Sequence, residues 1–139
     1  MWWQSELIIQ TERRGLYLIT DEVLNVINSR LPEKGLVHLF IKHTSASLLL
    51  QENADPSARH DLESYMEKLA PESQEWHTHT TEGPDDIAAH LRSAVTPTSL
   101  TIPIIQRRLG LGTWQGIYLW EHRRSPHRRK ILLTLQGEG

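Results

Sequence analysis

Two hydrophobic periods alternate along this chain, and they predict its elements. Leu7-Ile8-Ile9 centres a run from Trp3 to Gln10 that reads as a strand. A polar turn over Thr11–Gly15 leads to a second short strand at Leu16–Ile19. Thr20 stands where an N-cap belongs, with Asp21 and Glu22 behind it. Val23, Leu24, Ile27 and Leu31 then follow at helical spacing, up to the stop Pro32-Glu33-Lys34-Gly35. Leu36–Lys42 reads as a central strand with two largely apolar faces, and His43 falls at its end. Leu48-Leu49-Leu50 predicts another strand.

Asp55-Pro56 opens the clearest helix: aspartate is a favoured N-cap, and proline fits the first helical position. Ala58, Leu62, Tyr65, Met66 and Leu69 recur on one face, and Pro71 stops the run. Residues 72–84 carry no apolar period and read as a long polar loop. Asp85 is expected to cap a short helix from Asp86 to Ala94, with Ile87, Leu91 and Ala94 inward and His90 on their side. Three strands follow, at Leu100–Ile104, Thr113–Glu121 and Lys130–Leu135. Hairpin loops are expected at 106–112 and 122–129, and Pro103 is expected at an edge or bulge. The sum predicts an α+β fold: one compact domain over residues 1–139, a dominant antiparallel sheet or sandwich, and two or three helices.

Charge sharpens this picture only locally. The formal net charge of −2 gives no case for nucleic-acid binding. Ten of the seventeen acidic residues nevertheless fall within residues 52–86, and five of the fifteen basic ones within 121–130. The absence of cysteine removes thiolate metal sites and a cysteine nucleophile, and it suits a cytoplasmic location. No signal peptide or membrane span is expected.

Polar residues at element ends supply the candidate chemistry. His43, His79 and His90, joined by Asp85, are candidate ligands for a divalent cation, magnesium or zinc; their spacing matches no tight zinc motif. His77 reads as a solvated loop residue. Glu52, Asp55, Asp61, Asp85 and Asp86 are the carboxylates in play. Asp61 sits beside the apolar helix face and is the candidate partner that would orient a histidine acting in catalysis. Arg123, Arg124 and Arg128, in the basic loop, are candidate phosphate contacts. His122, at the start of that loop, is expected to be exposed. Gly110-Leu111-Gly112-Thr113-Trp114-Gln115-Gly116 has the wrong order for a nucleotide-binding loop and reads as a bulged hairpin.

Several of these segments together resemble one family. His43-Thr44-Ser45-Ala46-Ser47-Leu48, Glu52-Asn53-x-Asp55-Pro56, Glu82-Gly83-x-Asp85-Asp86-x-x-x-His90 and Leu111-Gly112-Thr113-Trp114-Gln115-Gly116-Ile117 resemble the YjbQ-like family, often labelled secondary thiamine-phosphate synthase. The resemblance covers essentially the whole chain. Gln51 stands where the family often has Asn, and Arg107 where Gly is common. The resemblance implies a YjbQ-like α+β fold assembled as a homotrimer. It also implies a weak transferase activity that joins hydroxymethylpyrimidine diphosphate to a thiazole phosphate and releases pyrophosphate. The matching polar positions include His43, Glu52, Asn53, Asp55, Asp61, His79, Asp85, Asp86, His90, Gln115 and Glu121, with Arg128 a looser match. On this reading His43, Asp61, His79 and His90 would act in catalysis. Asn53, Gln115, Arg123, Arg124 and Arg128 would bind the phosphorylated small molecule. The same residues also suit a metal-dependent hydrolase of small anions, or a trimeric anion-binding scaffold without turnover. Trp114, Tyr118 and Trp120, read as one aromatic face, offer the assembly its independent support.

Overall fold

Strand alternation sets the architecture. The computed structural model describes residues 1–139. Five antiparallel strands form the larger sheet, in the order β1 (Trp2–Thr11), β8 (His127–Glu138), β3 (Lys34–Ile41), β5 (Ser99–Ile105) and β6 (Arg108–Leu109). A smaller antiparallel sheet runs β2 (Gly15–Leu18), β7 (Gln115–Glu121), β4 (Ala46–Glu52). The inward residues of the larger sheet, among them Leu7, Ile9, Val37, Leu39, Ile41, Ile131 and Leu133, meet Leu48, Ile117 and Leu119 of the smaller one. Each such side chain contributes roughly 1.5–3 kcal/mol by leaving water. The other face of β7 presents Tyr118 and Trp120 to Leu16 and to Met66 of helix α2 (Pro56–Leu69). Helix α1 (Thr20–Ile27) adds Val23 and Ile27 to the main core. The expected α+β sandwich with three helices is therefore present.

Several local expectations are corrected. Thr20 does not cap α1; its Oγ1 accepts the Ile117 N–H at 2.9 Å and ties the helix to β7. Asp55 does cap α2, accepting the Ser57 N–H at 2.9 Å. Strand β3 is central, but Leu36 and Phe40 on its second face stay exposed, because only one face of that sheet is covered. Tyr118 and Trp120 lie on one face of β7 but are core residues, so they give the assembly no support; only Trp114, in the loop ahead of β7, is exposed. The second hairpin loop is shorter than expected, because β8 starts at His127 and takes up Arg128, Arg129 and Lys130. His122 is buried rather than exposed, with its Nε2 2.9 Å from the Ser47 hydroxyl. The first hairpin turns on Gln106 and Arg107, both at positive φ (51° and 60°), so the position where the resemblance puts glycine carries a left-handed arginine.

Helix α3 (Asp86–Ala94) is rotated from its expected facing. Asp86, Ala88, Ala89, Arg92 and Ser93 point inward, while Ala94 is exposed and Ile87 and Leu91 are only half-buried. Small side chains let α3 lie close on β4, where the Ser93 hydroxyl donates to the Ala46 carbonyl. The same rotation drives Asp86 into the protein, where it meets a guanidinium.

Candidate metal centre

Gly83 turns the loop into α3 at φ +95°, a conformation that side chains rarely adopt. Asp85 and Asp86 follow directly, and Arg123 comes over them from the end of β7. Arg123 Nε donates to Asp85 Oδ2 at 2.9 Å, Nη1 to Asp86 Oδ1 at 2.6 Å, and Nη2 to the Glu82 carbonyl at 3.2 Å. Asp85 Oδ2 also accepts the Arg124 N–H at 2.9 Å. Burial opposes ionisation of both carboxyls. For Asp85 the Arg124 amide and Arg123 outweigh it; for Asp86 the bond from His79 and the charges of His90 and Arg123 do so. Both are held below the usual carboxylate range.

The second oxygen of Asp86 faces two imidazoles. His79 Nε2 lies 2.6 Å from Oδ2, and His90 Nε2, one turn along α3, lies 3.1 Å from it. The His79 and His90 rings are 5.4 Å apart. One donor atom from each of the three residues falls within 4.8 Å of the others, so His79, Asp86 and His90 form a cluster able to hold a divalent cation. The ring orientation of His90 supports that use. Its Nδ1 lies 3.0 Å from the Thr44 carbonyl oxygen, which can only accept, so the ring proton sits on Nδ1. His90 Nε2 is thereby aimed at Asp86 Oδ2, 3.1 Å away, on the side where a cation would be held. Ligating histidines commonly carry such a carbonyl partner on the other nitrogen, and ligating carboxylates a partner on the other oxygen. Here Thr44 and Arg123 fill those places. Two nitrogens and one oxygen suit zinc or a similar transition cation better than magnesium, which prefers oxygen throughout.

Of the four expected ligands, the structure brings together His79 and His90. It replaces Asp85 with Asp86, because Asp85 is taken by Arg123 and the Arg124 amide. It leaves His43 outside the cluster. His43 Nε2 accepts the Lys130 N–H at 2.8 Å, and burial, helped by Arg129, lowers its pKa. Asp61 is exposed on α2 and meets only its neighbour His60, at 3.4 Å; nothing places it beside a site histidine. Arg123 is at the site as a brace for carboxylates, not as an unpaired anion contact. Arg124 pairs with Glu72, which Arg14 also holds at 2.6 Å. Arg128 is exposed in β8 opposite Gln10. Asn53 and Gln115 meet each other at the far end of the β4–β7 pair, where Asn53 Nδ2 lies 3.4 Å from the Gln115 carbonyl. Ala46 and Glu121 mark the near end, about 20 Å away along the strands.

Two features go beyond the sequence reading, and the first is the pairing of Asp86, already a candidate carboxylate, with His90. Asp86 and His90 stand four apart on a helix whose limits were already expected, and that spacing alone puts them on one face. The second is the buried support beneath the site. Arg129 pairs with Glu121 through Nε at 2.8 Å and again through Nη2, Thr11 donates to Glu121 at 2.6 Å, and the Arg123 N–H donates to Glu121 at 3.1 Å. Alternation in β7 and β8 was its only sequence signal.

Fold and site together define an α+β sandwich protein with an open His–Asp–His cation cluster. The family model described as "UPF0047 protein YjbQ-like" matches residues 5–138. A UPF0047 protein of Synechocystis is 46% identical over 135 residues, covering 97% of this chain and 92% of that protein. YjbQ of Salmonella typhimurium is 47% identical over 139 residues, covering 99% and 100%. A crystal structure from Aeropyrum pernix superposes with a TM-score of 0.87 at 27% identity, covering 98% and 99%. A YbjQ-like protein of Sulfolobus solfataricus gives a TM-score of 0.90 at 23% identity, covering 99% of each chain, and shows the shared fold. The chain belongs to the UPF0047 YjbQ-like family. No helix is long and apolar enough to cross a membrane.

Proposed function

We propose that this chain is a cation-dependent enzyme acting on a phosphorylated small molecule at His79, Asp86 and His90. The observation that carries the reading is the convergence of His79 Nε2, His90 Nε2 and Asp86 Oδ2, with the His90 ring oriented by its Nδ1–H to the Thr44 carbonyl and Asp86 held by Arg123. A divalent cation bound there would neutralise charge on a phosphate or diphosphate group. His79, Asp86 and His90 hold that position, and Arg123 fixes the Asp86 carboxylate.

The finer reading follows the family resemblance: transfer of a hydroxymethylpyrimidine group from its diphosphate to a thiazole phosphate. The carbon–oxygen bond to the diphosphate breaks, and its electron pair leaves with pyrophosphate. The thiazole nitrogen lone pair forms the new carbon–nitrogen bond. Such a reaction needs positioning and charge stabilisation rather than a protein nucleophile. A second reading is hydrolysis of the phosphorylated compound. It asks for no free guanidinium, and Arg123 and Arg124 are both paired with carboxylates. We also propose that the chain works in the cytoplasm as a homotrimer. Ile8, Leu36 and Phe40, each more than two-fifths exposed, support an assembly face; light scattering giving one chain per particle would reject it.

The deciding experiment uses untagged protein. Its metal content is measured, and it is then loaded with zinc or magnesium. Thiamine phosphate formation from the two precursors is followed by mass spectrometry for the native chain and Asp86→Asn. Product from the native chain alone supports the transferase. Phosphate release without thiamine phosphate supports the hydrolase. No bound cation and no reaction would sink both.

A further inference from the structure

Three arginines from separate parts of the chain gather around Glu72, just past the end of α2. Arg14 comes from the turn between β1 and β2, Arg92 from the last turn of α3, and Arg124 from the turn between β7 and β8. Arg92 is only 3% exposed. Its Nε donates to the carbonyl of Ala70, the residue that ends α2, at 3.1 Å. A cation also suits the end of a helix, where the last carbonyls carry partial negative charge. Those two uses account for an arginine at this position, but they leave the rest of its guanidinium unspent. Nη1 and Nη2 of Arg92 make no hydrogen bond, yet neither is sealed from solvent as Nδ1 of His122 is. A guanidinium taken out of water without a counter-ion is costly.

Glu72 already holds the other two arginines. Arg14 Nη1 donates to its Oε2 at 2.6 Å, and Arg124 Nη2 donates to its Oε1. Neither guanidinium makes a further hydrogen bond, so Nε and Nη2 of Arg14 and Nε and Nη1 of Arg124 remain free donors. Arg92 feels the same charges. Burial lowers its pKa, Arg14 and Arg124 add to the effect, and Glu72 and the exposed Glu67 oppose it. Positive charge is thus in excess around Glu72. A carboxylate offers its oxygens along one edge, which Arg14 and Arg124 take up. A tetrahedral oxyanion offers oxygens on every side and could meet Arg92 as well.

We propose that Arg14, Arg92 and Arg124 form a binding site for a small oxyanion, phosphate or the phosphate end of a larger molecule, and that Glu72 is the internal carboxylate which this ligand displaces. Planar guanidinium forks recognise phosphate oxygens in this way. The site uses no group of the His79, Asp86 and His90 cluster, so it stands independently of the cation reading.

The test removes the competitor and the cradle separately. Native protein, kept free of cations by a chelator, is titrated calorimetrically with inorganic phosphate at fixed ionic strength. The titration is repeated on Glu72→Gln, Arg92→Met and Arg124→Ala. Glu72→Gln keeps the shape but removes the competing charge, so it should tighten phosphate by about tenfold or more, the scale of a hydrogen bond to a charged group. Arg92→Met keeps an apolar stem and should weaken phosphate by about 10–100-fold. Arg124→Ala, at an exposed position, keeps the site testable if Arg92→Met does not fold, and should weaken phosphate in the same direction. Binding by Glu72→Gln but not by the native chain also supports the site, with the internal carboxylate as the stronger competitor. Unchanged affinity in folded Arg92→Met or in Arg124→Ala overturns it. So does weaker binding in Glu72→Gln, or no binding by either the native chain or that variant. Asp86→Asn should bind phosphate as the native chain does; loss there would place the anion at the cation cluster and overturn the assignment. Phenyl phosphate then separates the two sources. Binding that depends on Arg92 assigns the site to the phosphate end of a larger molecule, and binding of inorganic phosphate alone assigns it to the free anion; either result keeps the site.

Discussion

Asp86 Oδ2 lies 3.1 Å from Nε2 of His90, one turn further along the same helix, while the other nitrogen of that ring is turned to the Thr44 carbonyl. Asp86→Asn removes the anionic donor and places an amide among two imidazoles. Zinc affinity, measured by competition with a chromogenic chelator, should fall by at least about 100-fold, since one of three ligands is lost. His90→Gln should behave alike. Unchanged affinity in both would remove the cluster as a cation site.

Arg123 reaches the site only through Asp85 and Asp86. Arg123→Ala should leave the three ligands present yet weaken zinc binding by about 10–100-fold, the usual effect of losing a group that orients a ligand. It also leaves two buried carboxylates short of their guanidinium, so stability should drop by roughly 3–5 kcal/mol in urea unfolding. Arg123→Lys should recover part of the stability but not the orientation, because an ammonium cannot hold both carboxylates in a planar fork.

How much of this was legible in the sequence depends on the residue. The Asp55 cap and the stop at Pro71 follow from local chemistry, and both are present in α2. His79 and His90 stood out as polar residues at element ends. Asp86 rather than Asp85 joins the cluster, and the facing of α3 differs from the one that Ile87 and Leu91 predict. The helix instead turns its alanines to β4 and its aspartate to Arg123. Tertiary pairing with a residue 37 positions away decided the facing, and no local pattern carries that. The basic run misled for a related reason: β8 begins inside it, and strand alternation then separates Arg128 from Arg129.

That alternation makes a sharp contrast between neighbours. Arg129 is buried and clasps Glu121, which is fully buried; Arg128 is exposed. Arg129→Ala should cost roughly 3–5 kcal/mol, because it strands a buried carboxylate. Arg128→Ala should stay within about 0.5 kcal/mol. Denaturant midpoints for the two variants, measured side by side, check the assignment; equal midpoints would contradict it.

Asp61→Ala should change neither zinc affinity nor stability by more than about 0.5 kcal/mol, because the side chain is exposed and meets only His60. A large loss of activity in this variant, with zinc binding intact, would restore Asp61 to the site.

His122 ties acid stability to the core beneath the site. Burial, with Arg92 and Arg129 nearby, lowers its pKa from 6.5 to about 3. The unfolded chain protonates this ring near pH 6.5, while the folded chain keeps it neutral down to about pH 3. Between those values the unfolded state holds the extra proton, so stability falls as pH falls. Above pH 6.5 the ring is neutral in both states and contributes no pH dependence. From pH 7 to pH 4 the native chain should therefore lose on the order of 3 kcal/mol through this residue. His122→Phe should be less stable at pH 7, because Ser47 loses its partner, yet its stability should decline less steeply toward pH 4. Urea unfolding at the two pH values on both proteins isolates the residue from other titrating groups. Parallel declines would mean that His122 takes up its proton in the folded state, and the buried position assigned to it would be wrong.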